Sequence, residues 1–228
     1  MFDKSKYNKL LQLLLSKGLN PSLDWHETSN PNHLLIRHDI DFSVDYGVDL
    51  AKFEYDQNIK STYFFMLTTN FYNLISPKHI YMVNSIKEMG HKISIHFDPT
   101  SYENLDGFLM EKEIFENTFD INLDIVSIHR PGIFLKDNNK SLFGCAQTYQ
   151  NKYFKEMNYI SDSAGQDVFP MIDSYLKENR TKGLQLLIHP VWWIKKTSAP
   201  TETLNYWFEK HSDFLKNEIR KNCKTYKN

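Results

Sequence analysis

The sequence has few cysteines, little net charge and no long apolar run. Cys145 and Cys223 are the only cysteines among 228 residues and have no CxxC or Cys/His spacing, so neither a disulfide framework nor a zinc ribbon is predicted. The formal net charge of -1 provides no basic surface for nucleic acid. The leucine-rich stretch 10–15 is interrupted by Gln12 and falls short of the roughly 20 apolar residues of a membrane span. Since no signal-peptide pattern is present either, we expect a cytoplasmic protein without a membrane span.

Apolar and aromatic residues are present in sufficient number for one substantial core, at 41% and 14% of the sequence. A length of 228 residues suits one domain better than two, so we interpret residues 1–228 as a single domain. Aromatic rings are good platforms for sugars, although most are expected in the core.

Short apolar runs alternate with amphipathic segments of helix length along the chain. The predicted strands are 34–38, 61–66, 92–96, 125–129, 159–161 and 184–189. The predicted helices are 44–57, 77–89, 105–118, 147–157, 171–178 and 203–222. This alternation predicts an α/β fold with a parallel sheet covered by helices. Six to seven such units suit a distorted, incomplete (β/α) barrel better than the eightfold barrel, and function is then expected at the C-terminal ends of the strands.

Five of the six predicted strands end in histidine, aspartate or arginine. These ends read Arg37-His38-Asp39-Ile40-Asp41, His96-Phe97-Asp98, His129-Arg130-Pro131, Ser161-Asp162-Ser163 and His189-Pro190. A single polar strand end is unremarkable, but five of them indicate a shared site at the mouth of the barrel.

Asp39 and Asp41 lie two residues apart, so an extended chain points both carboxylates to the same face. Carboxylates held together repel, and a cation between them relieves the repulsion. The alternative is that Asp41 or Ser43 caps the helix that follows, although Ser43 alone could do so. His38 has the opposite strand parity and is expected in packing or behind the site. The pair therefore predicts a metal site.

Histidines end three further strands. His96 is suited to bind a metal through a neutral imidazole, or alternatively to be a hydrogen-bonded core histidine. His129 stands at the end of the fourth predicted strand. His189 is followed closely by Trp192 and Trp193, and this combination suggests a rim that faces a sugar.

This set of strand ends resembles the polysaccharide deacetylase superfamily, the NodB-homology group of carbohydrate esterases. It is most similar to the branch whose first motif reads His-Asp-Ile/Val-Asp, and the similarity covers roughly residues 34–193 in the family's motif order. The resemblance implies an incomplete β/α barrel with an Asp-His-His metal site, which usually holds zinc.

The resemblance also implies roles for the residues of the first two motifs. Asp39 would be the general base and Asp41 a metal ligand. In the second motif, residues 90–96, His96 would be a ligand and His91 a structural histidine.

Three later motifs complete the similarity. Arg130 matches the arginine that holds the base aspartate. Asp162 matches the aspartate that orients this arginine, and His189 matches the general acid.

The second motif departs from the family pattern at one position. The family usually has another ligand histidine four residues after the first, and Thr100 stands there in this chain. The third metal ligand is then His129 or, as the alternative, Asp98, which shares a face with His96 if the strand continues.

The expected activity is hydrolysis of an N-acetyl group on a sugar, assisted by one divalent ion. The metal would polarise the acetyl carbonyl and lower the pKa of a water, Asp39 would accept the water's proton, and His189 would protonate the departing amine. Trp192 and Trp193 would contact the sugar. In the cytoplasm, the substrate would be a nucleotide sugar or lipid-linked precursor of a surface polysaccharide.

Two other functions are compatible with the sequence. A metal-dependent phosphoesterase on a similar barrel would also place Asp and His residues at strand ends, but normally needs more histidine ligands and two metals. A non-catalytic sugar-binding relative of the deacetylase fold is suggested by Thr100.

Overall fold

The computed structural model describes residues 3–132, 139–178 and 181–226. The strands are β1 (Asn20–Pro21), β2 (His33–Ile40), β3 (Thr62–Phe65), β4 (Lys92–Phe97), β5 (Ile125–Ile128), β6 (Ala146–Gln147), β7 (Asn158–Ser161) and β8 (Leu184–Ile188). The helices are α1 (Lys4–Ser16), α2 (Val44–Tyr55), α3 (Pro77–Glu88), α4 (Gly107–Phe119), α5 (Asn151–Phe154), α6 (Phe169–Lys177) and α7 (Pro200–Asn222).

The sheet is parallel, with its strands in the order β6-β5-β4-β3-β2-β8-β7 and with β1 added to β2. Parallel neighbours need crossover connections, and helices provide most of them. The curled sheet does not close, so the fold is an incomplete (β/α) barrel, and the predicted fold class is confirmed. The six predicted strands correspond to β2, β3, β4, β5, β7 and β8.

The predicted helix over 147–157 is wrong over most of its length. Helix α5 covers only Asn151–Phe154, and Ala146–Gln147 forms the edge strand β6. The backbone N–H of Thr148 donates to the carbonyl of Val126 in β5 at 3.0 Å. Because this segment is hydrogen-bonded to the sheet, its backbone groups are not available for a helix.

The helices cover the outer face of the sheet with amphipathic stripes. Helix α1 begins after Asp3, whose side chain accepts from the N–H of Lys6, and its buried positions Tyr7, Leu10 and Leu14 follow helical spacing. Among the described residues, no helix combines the length and the apolar character needed to cross a membrane.

Strand β2 separates two environments by its alternation. Leu34 and Ile36 pack into the core beneath the outer helices, whereas Leu35 packs inside the barrel against Phe64. Farther along the strand, Asp39 faces the cavity at the C-terminal end of the sheet. The interior is thus filled by side chains at the start of the strands and open at their ends, as expected for this architecture.

A buried glutamate links the outer face of the sheet to two helices. Glu54 of α2 has no exposed surface, and its carboxylate contacts His38 Nε2 at 2.8 Å. The hydroxyl of Tyr63 donates to it at 2.6 Å, and that of Tyr7 in α1 also donates. Burial raises the pKa of Glu54, but His38, the charge of His91 and the hydrogen bond from Tyr63 outweigh burial and lower it. His38 therefore supports the fold from behind β2.

His91 is likewise buried and structural, as the resemblance implies. Its Nδ1 accepts from the backbone N–H of Ser61 at 3.2 Å, and its Nε2 lies 3.0 Å from the carbonyl of Ala51. Burial is the main cause that lowers the pKa of His91.

Candidate metal centre and acid–base site

The polar strand ends converge on one cavity of about 220 Å³ at the C-terminal edge of the sheet. Asp39 and Asp41 come from the end of β2, His96 from β4, His129 from the turn after β5 and His189 from the turn after β8. The prediction that these five side chains share a site is consistent with this geometry, because each of them lines the cavity.

Three of these residues form a compact cluster of possible metal ligands. His96 Nε2 lies 3.0 Å from His129 Nδ1 and 3.2 Å from Asp41 Oδ1, and His129 Nδ1 lies 3.6 Å from the same oxygen. Ligand bonds of about 2.1 Å at tetrahedral angles separate ligand atoms by about 3.4 Å. The donor atoms therefore already have the spacing that a zinc-type ion would require.

The hydrogen bonding and the protonation states of Asp41 and His129 also favour the binding of a cation. Asp41 Oδ1 is buried and accepts no hydrogen bond from the described residues. Burial raises the pKa of Asp41, but His96, His189 and His129 outweigh it and lower the pKa, which keeps the carboxylate ionised. Burial and the neighbouring His96 lower the pKa of His129, which favours the neutral imidazole that a metal needs.

Ser127 orients His96. Its Oγ lies 2.7 Å from His96 Nδ1, accepts from Arg37 Nη2 at 2.5 Å, and lies 3.1 Å from both carboxylate oxygens of Asp39. These contacts are all hydrogen bonds when the Ser127 hydroxyl donates to Asp39 and His96 Nδ1–H donates to Ser127 Oγ. This tautomer leaves the lone pair of His96 Nε2 directed at the cluster.

Asp39 is held by Arg37, two residues earlier on the same strand. The guanidinium donates through Nε to Oδ1 at 2.9 Å and through Nη2 to Oδ2 at 2.7 Å, and both side chains are buried. Burial raises the pKa of Asp39, but the Arg37 charge outweighs it and holds the pKa far below its usual range. Rings of Phe64 and Tyr149 pack within 5.8 and 4.9 Å of the guanidinium carbon. Asp39 is therefore a fixed carboxylate at the cavity floor.

The predicted contact between Arg130 and Asp39 is wrong. Arg130 lines the cavity, but its side chain is 67% exposed and its Nη1 lies 3.7 Å from Asp98 Oδ2. Its backbone is left-handed, with φ of 48°, because the chain turns away from the sheet after β5. Arg37 already occupies the position beside Asp39.

The predicted partner of Asp162 is also wrong. Asp162 is fully buried and accepts from His189 Nδ1 at 2.6 Å, from the backbone N–H of His189 at 3.0 Å, and from Trp193 Nε1 at 2.7 Å. Arg130 is not among its partners. Burial lowers the pKa of His189, but the Asp162 carboxylate outweighs it and raises this pKa to about 9. His189 is therefore a positioned cation at neutral pH, with Nε2 3.8 Å from Asp41 Oδ2.

The two tryptophans after His189 occupy different environments. Trp193 is fully buried, packs against Tyr7 at a ring distance of 5.4 Å, and donates to Asp162, so its predicted contact with substrate is wrong. Trp192 is buried, at 7% exposure, but it lines the cavity.

Asp98, the alternative third ligand, lies outside the metal-type cluster of the described residues. Its Oδ1 accepts from the backbone N–H and the hydroxyl of Thr100, at 2.9 and 2.7 Å. Asp98 thereby caps the turn Pro99–Ser101. Thr100, which stands where the family has a ligand histidine, therefore takes part in this cap. His129 lies beside His96.

Sequence reasoning missed Arg37, Ser127 and Tyr149 as parts of the site. Arg37 and Ser127 each precede a predicted site residue by two positions, so strand parity alone places them on the cavity face. Tyr149 had no comparable signal, because it follows a strand of only two residues.

A second, larger cavity of about 630 Å³ lies between α2 and α7. Phe42, Phe71 and Trp207 form its aromatic wall, with ring centroids 5.0–5.3 Å apart. The metal-type cluster does not border this groove, so the smaller cavity is the candidate site.

Comparison with known proteins gives a structural similarity only. No protein-family model and no curated protein sequence matches the chain. A carbohydrate esterase family 4 pseudoenzyme from Bacillus anthracis is 12% identical with a TM-score of 0.46, covering 82% of this chain. A peptidoglycan N-acetylglucosamine deacetylase domain from Eubacterium rectale is 14% identical with a TM-score of 0.46, covering 87% of this chain and 90% of that one. Peptidoglycan deacetylase PdaC from Bacillus subtilis is 11% identical with a TM-score of 0.41, over 85% and 96%.

These similar structures are distant from the chain. The chain spans 63% of the length of the Bacillus anthracis pseudoenzyme. The matched structures belong to the superfamily that the strand-end motifs resemble.

Proposed function

We propose that this chain is a metal-dependent hydrolase of the polysaccharide deacetylase superfamily that removes N-acetyl groups from a sugar. The observation that supports it is the cavity itself, which brings a three-donor cluster, an ionised carboxylate and a cationic histidine together. Hydrolysis of an amide requires a proton acceptor for water and a proton donor for the amine, and the two groups here have opposite charge states.

Asp41, His96 and His129 would hold one divalent ion, which we propose to be zinc. Their donor atoms lie 3.0–3.6 Å apart, and a carboxylate with two imidazoles is a usual zinc ligand set. When bound, the ion would polarise the acetyl carbonyl and make water more acidic.

Asp39 would accept the proton of the attacking water. Arg37 and Ser127 hold its carboxylate in place and keep it ionised across the neutral range. The same pairing makes Asp39 a weak base, so it suits a water that has already been made acidic. Arg37 is a positioning residue in this scheme.

His189 would donate a proton to the departing amine. Asp162 binds Nδ1 and the backbone N–H, which fixes the ring and leaves Nε2 facing Asp41 and the cavity. Trp193 supports Asp162 from the core. Asp162 and His189 thus form a pair in which a buried carboxylate orients a catalytic imidazole.

We propose a sugar precursor of surface polysaccharide, such as a nucleotide sugar, as substrate, and the cytoplasm as its location. Trp192 supplies an aromatic wall against which a sugar ring would pack. The small volume of the cavity favours a terminal sugar residue over the middle of a long chain.

Acetate release and metal content test the proposal together. The purified chain is incubated with N-acetylglucosamine, its nucleotide-linked form and N-acetylated oligosaccharides, while its metal content is measured by inductively coupled plasma mass spectrometry. One ion per chain with acetate release supports the deacetylase. Two ions with release of phosphate from phosphate esters would indicate a phosphoesterase, and sugar binding without a metal would indicate a non-catalytic relative.

A further inference from the structure

We propose that Arg130 forms a subsite for an anionic group, a phosphate or a carboxylate, carried by the N-acetylated sugar. The inference rests on the proposed function of the same cavity and adds the class of substrate that it prefers.

Arg130 lies on an exposed part of the cavity wall, next in sequence to His129. Among the described residues that line the cavity, it is the single lysine or arginine, and its side chain is 67% exposed at the rim. The carboxylates of Asp39 and Asp41 line the same cavity. A substrate with both a neutral acetamido group and an anion can place the anion at Arg130 and the neutral group beside the carboxylates, which matches this distribution of charge.

The structure also gives Arg130 no other task within its described surroundings. Arg37 already supplies two charge-assisted hydrogen bonds to Asp39. The ion pair of Arg130 with Asp98 is 3.7 Å long, beyond hydrogen-bond distance, and Asp98 Oδ1 is satisfied by Thr100. Asp98 therefore holds the guanidinium near the rim without using up its donors.

The chemistry of the guanidinium decides the class of ligand. Its planar fork of N–H donors matches the paired oxygens of phosphate or carboxylate, and such charge-assisted bonds are stronger than those to neutral groups. A neutral sugar hydroxyl would use one of these donors at most, so the rim is expected to discriminate between charged and neutral forms of the same sugar.

Isothermal titration calorimetry with matched sugars tests the subsite. N-acetylglucosamine, N-acetylglucosamine 1-phosphate and N-acetylmuramic acid are titrated into the full chain and into Arg130→Ala, Arg130→Lys and the control Arg220→Ala in α7. The wild type is expected to bind a phosphate or carboxylate form on the order of tenfold more tightly than the neutral sugar. Arg130→Ala should bring this ratio close to one, Arg130→Lys should retain part of it, and Arg220→Ala should preserve it.

The outcomes separate the subsite from the proposed function. If the wild type prefers N-acetylglucosamine 1-phosphate, the anion is a phosphate. If it prefers N-acetylmuramic acid, the anion is a carboxylate. Equal affinities in the wild type, or a preference that persists in Arg130→Ala, would overturn the subsite, and persistence would assign the anion to the metal centre instead. A lack of acetate release from every substrate would contradict the proposed function while leaving this binding ratio readable.

Discussion

Arg37→Met removes the cation that Asp39 faces inside the barrel while keeping a side chain of similar length. Both side chains are buried, and the substitution deletes the two charge-assisted hydrogen bonds to Asp39 and the one to Ser127, and it leaves the carboxylate without its arginine counter-charge. Removing one partner of a buried pair costs about 3–5 kcal/mol. For a chain of this size the cost corresponds to a fall in melting temperature of about 6–20 °C. Arg130→Met is the matched control, because an exposed arginine is expected to change the free energy of unfolding by about 0.5 kcal/mol or less.

Urea unfolding followed by circular dichroism, in EDTA so that bound metal adds no stability, measures both variants. The folded wild type has an Asp39 pKa below the unfolded value, so its contribution is present above pH 4 and is lost as the pH falls. In Arg37→Met the isolated carboxyl prefers to be protonated, so the penalty should decrease from pH 8 to pH 5. A penalty under 1 kcal/mol, or a larger one in Arg130→Met, would refute the assignment of Arg37. Adding Asp39→Asn should recover part of the loss, because a neutral amide needs no counter-charge.

Three further outcomes follow from the same geometry. Asp39→Asn is expected to retain the metal and to release acetate about 10²–10⁴-fold more slowly, and a near-normal rate would remove Asp39 as the base. His129→Ala should lose metal on dialysis whereas Asp98→Ala should keep it, and the reverse result in mass spectrometry would contradict the ligand set. In the metal-free chain, nuclear magnetic resonance should find His189 protonated up to a pKa of about 9. Asp162→Asn should lower that pKa, because burial is then opposed only by the more distant charges of Asp41 and Asp39, and an unchanged titration would exclude Asp162 as the main cause.

The sequence predicts the fold class and the convergence of strand ends because both follow from short-range patterns. Alternating apolar runs and helix-length segments define the (β/α) units, and parallel strands bring their C-terminal ends to one edge. The paired positions of Asp39 and Asp41 then require only the two-residue repeat of an extended chain. Strand β6 cannot be predicted in this way, because its pairing with β5 depends on residues 21 positions earlier in the chain.

Partners of the charged residues are harder to predict, because a side-chain contact depends on three-dimensional reach as well as strand position. Arg130 stands where the family motif has the arginine that holds the base, yet Arg37 reaches Asp39 from the same strand and makes that contact redundant. The resemblance implies that Asp162 orients this arginine, whereas in the structure Asp162 binds His189. The sequence suggests that Trp193 contacts a sugar, but in the structure its indole N–H donates to buried Asp162.

Strand β2 is expected to tolerate substitutions and changes in its length to different degrees. Asp39 and Asp41 face the cavity and Arg37 faces Asp39 inside the barrel, because one outward residue separates each of the three from the next. His38 reaches Glu54 on the other side by the same alternation. A deletion of one residue within the strand would shift the register, so that carboxylates turn toward the helices and His38 toward the cavity. Insertions and deletions in His33–Ile40 should therefore abolish both activity and folding, whereas the loops at the N-terminal ends of the strands, which carry none of the site residues, can change in length.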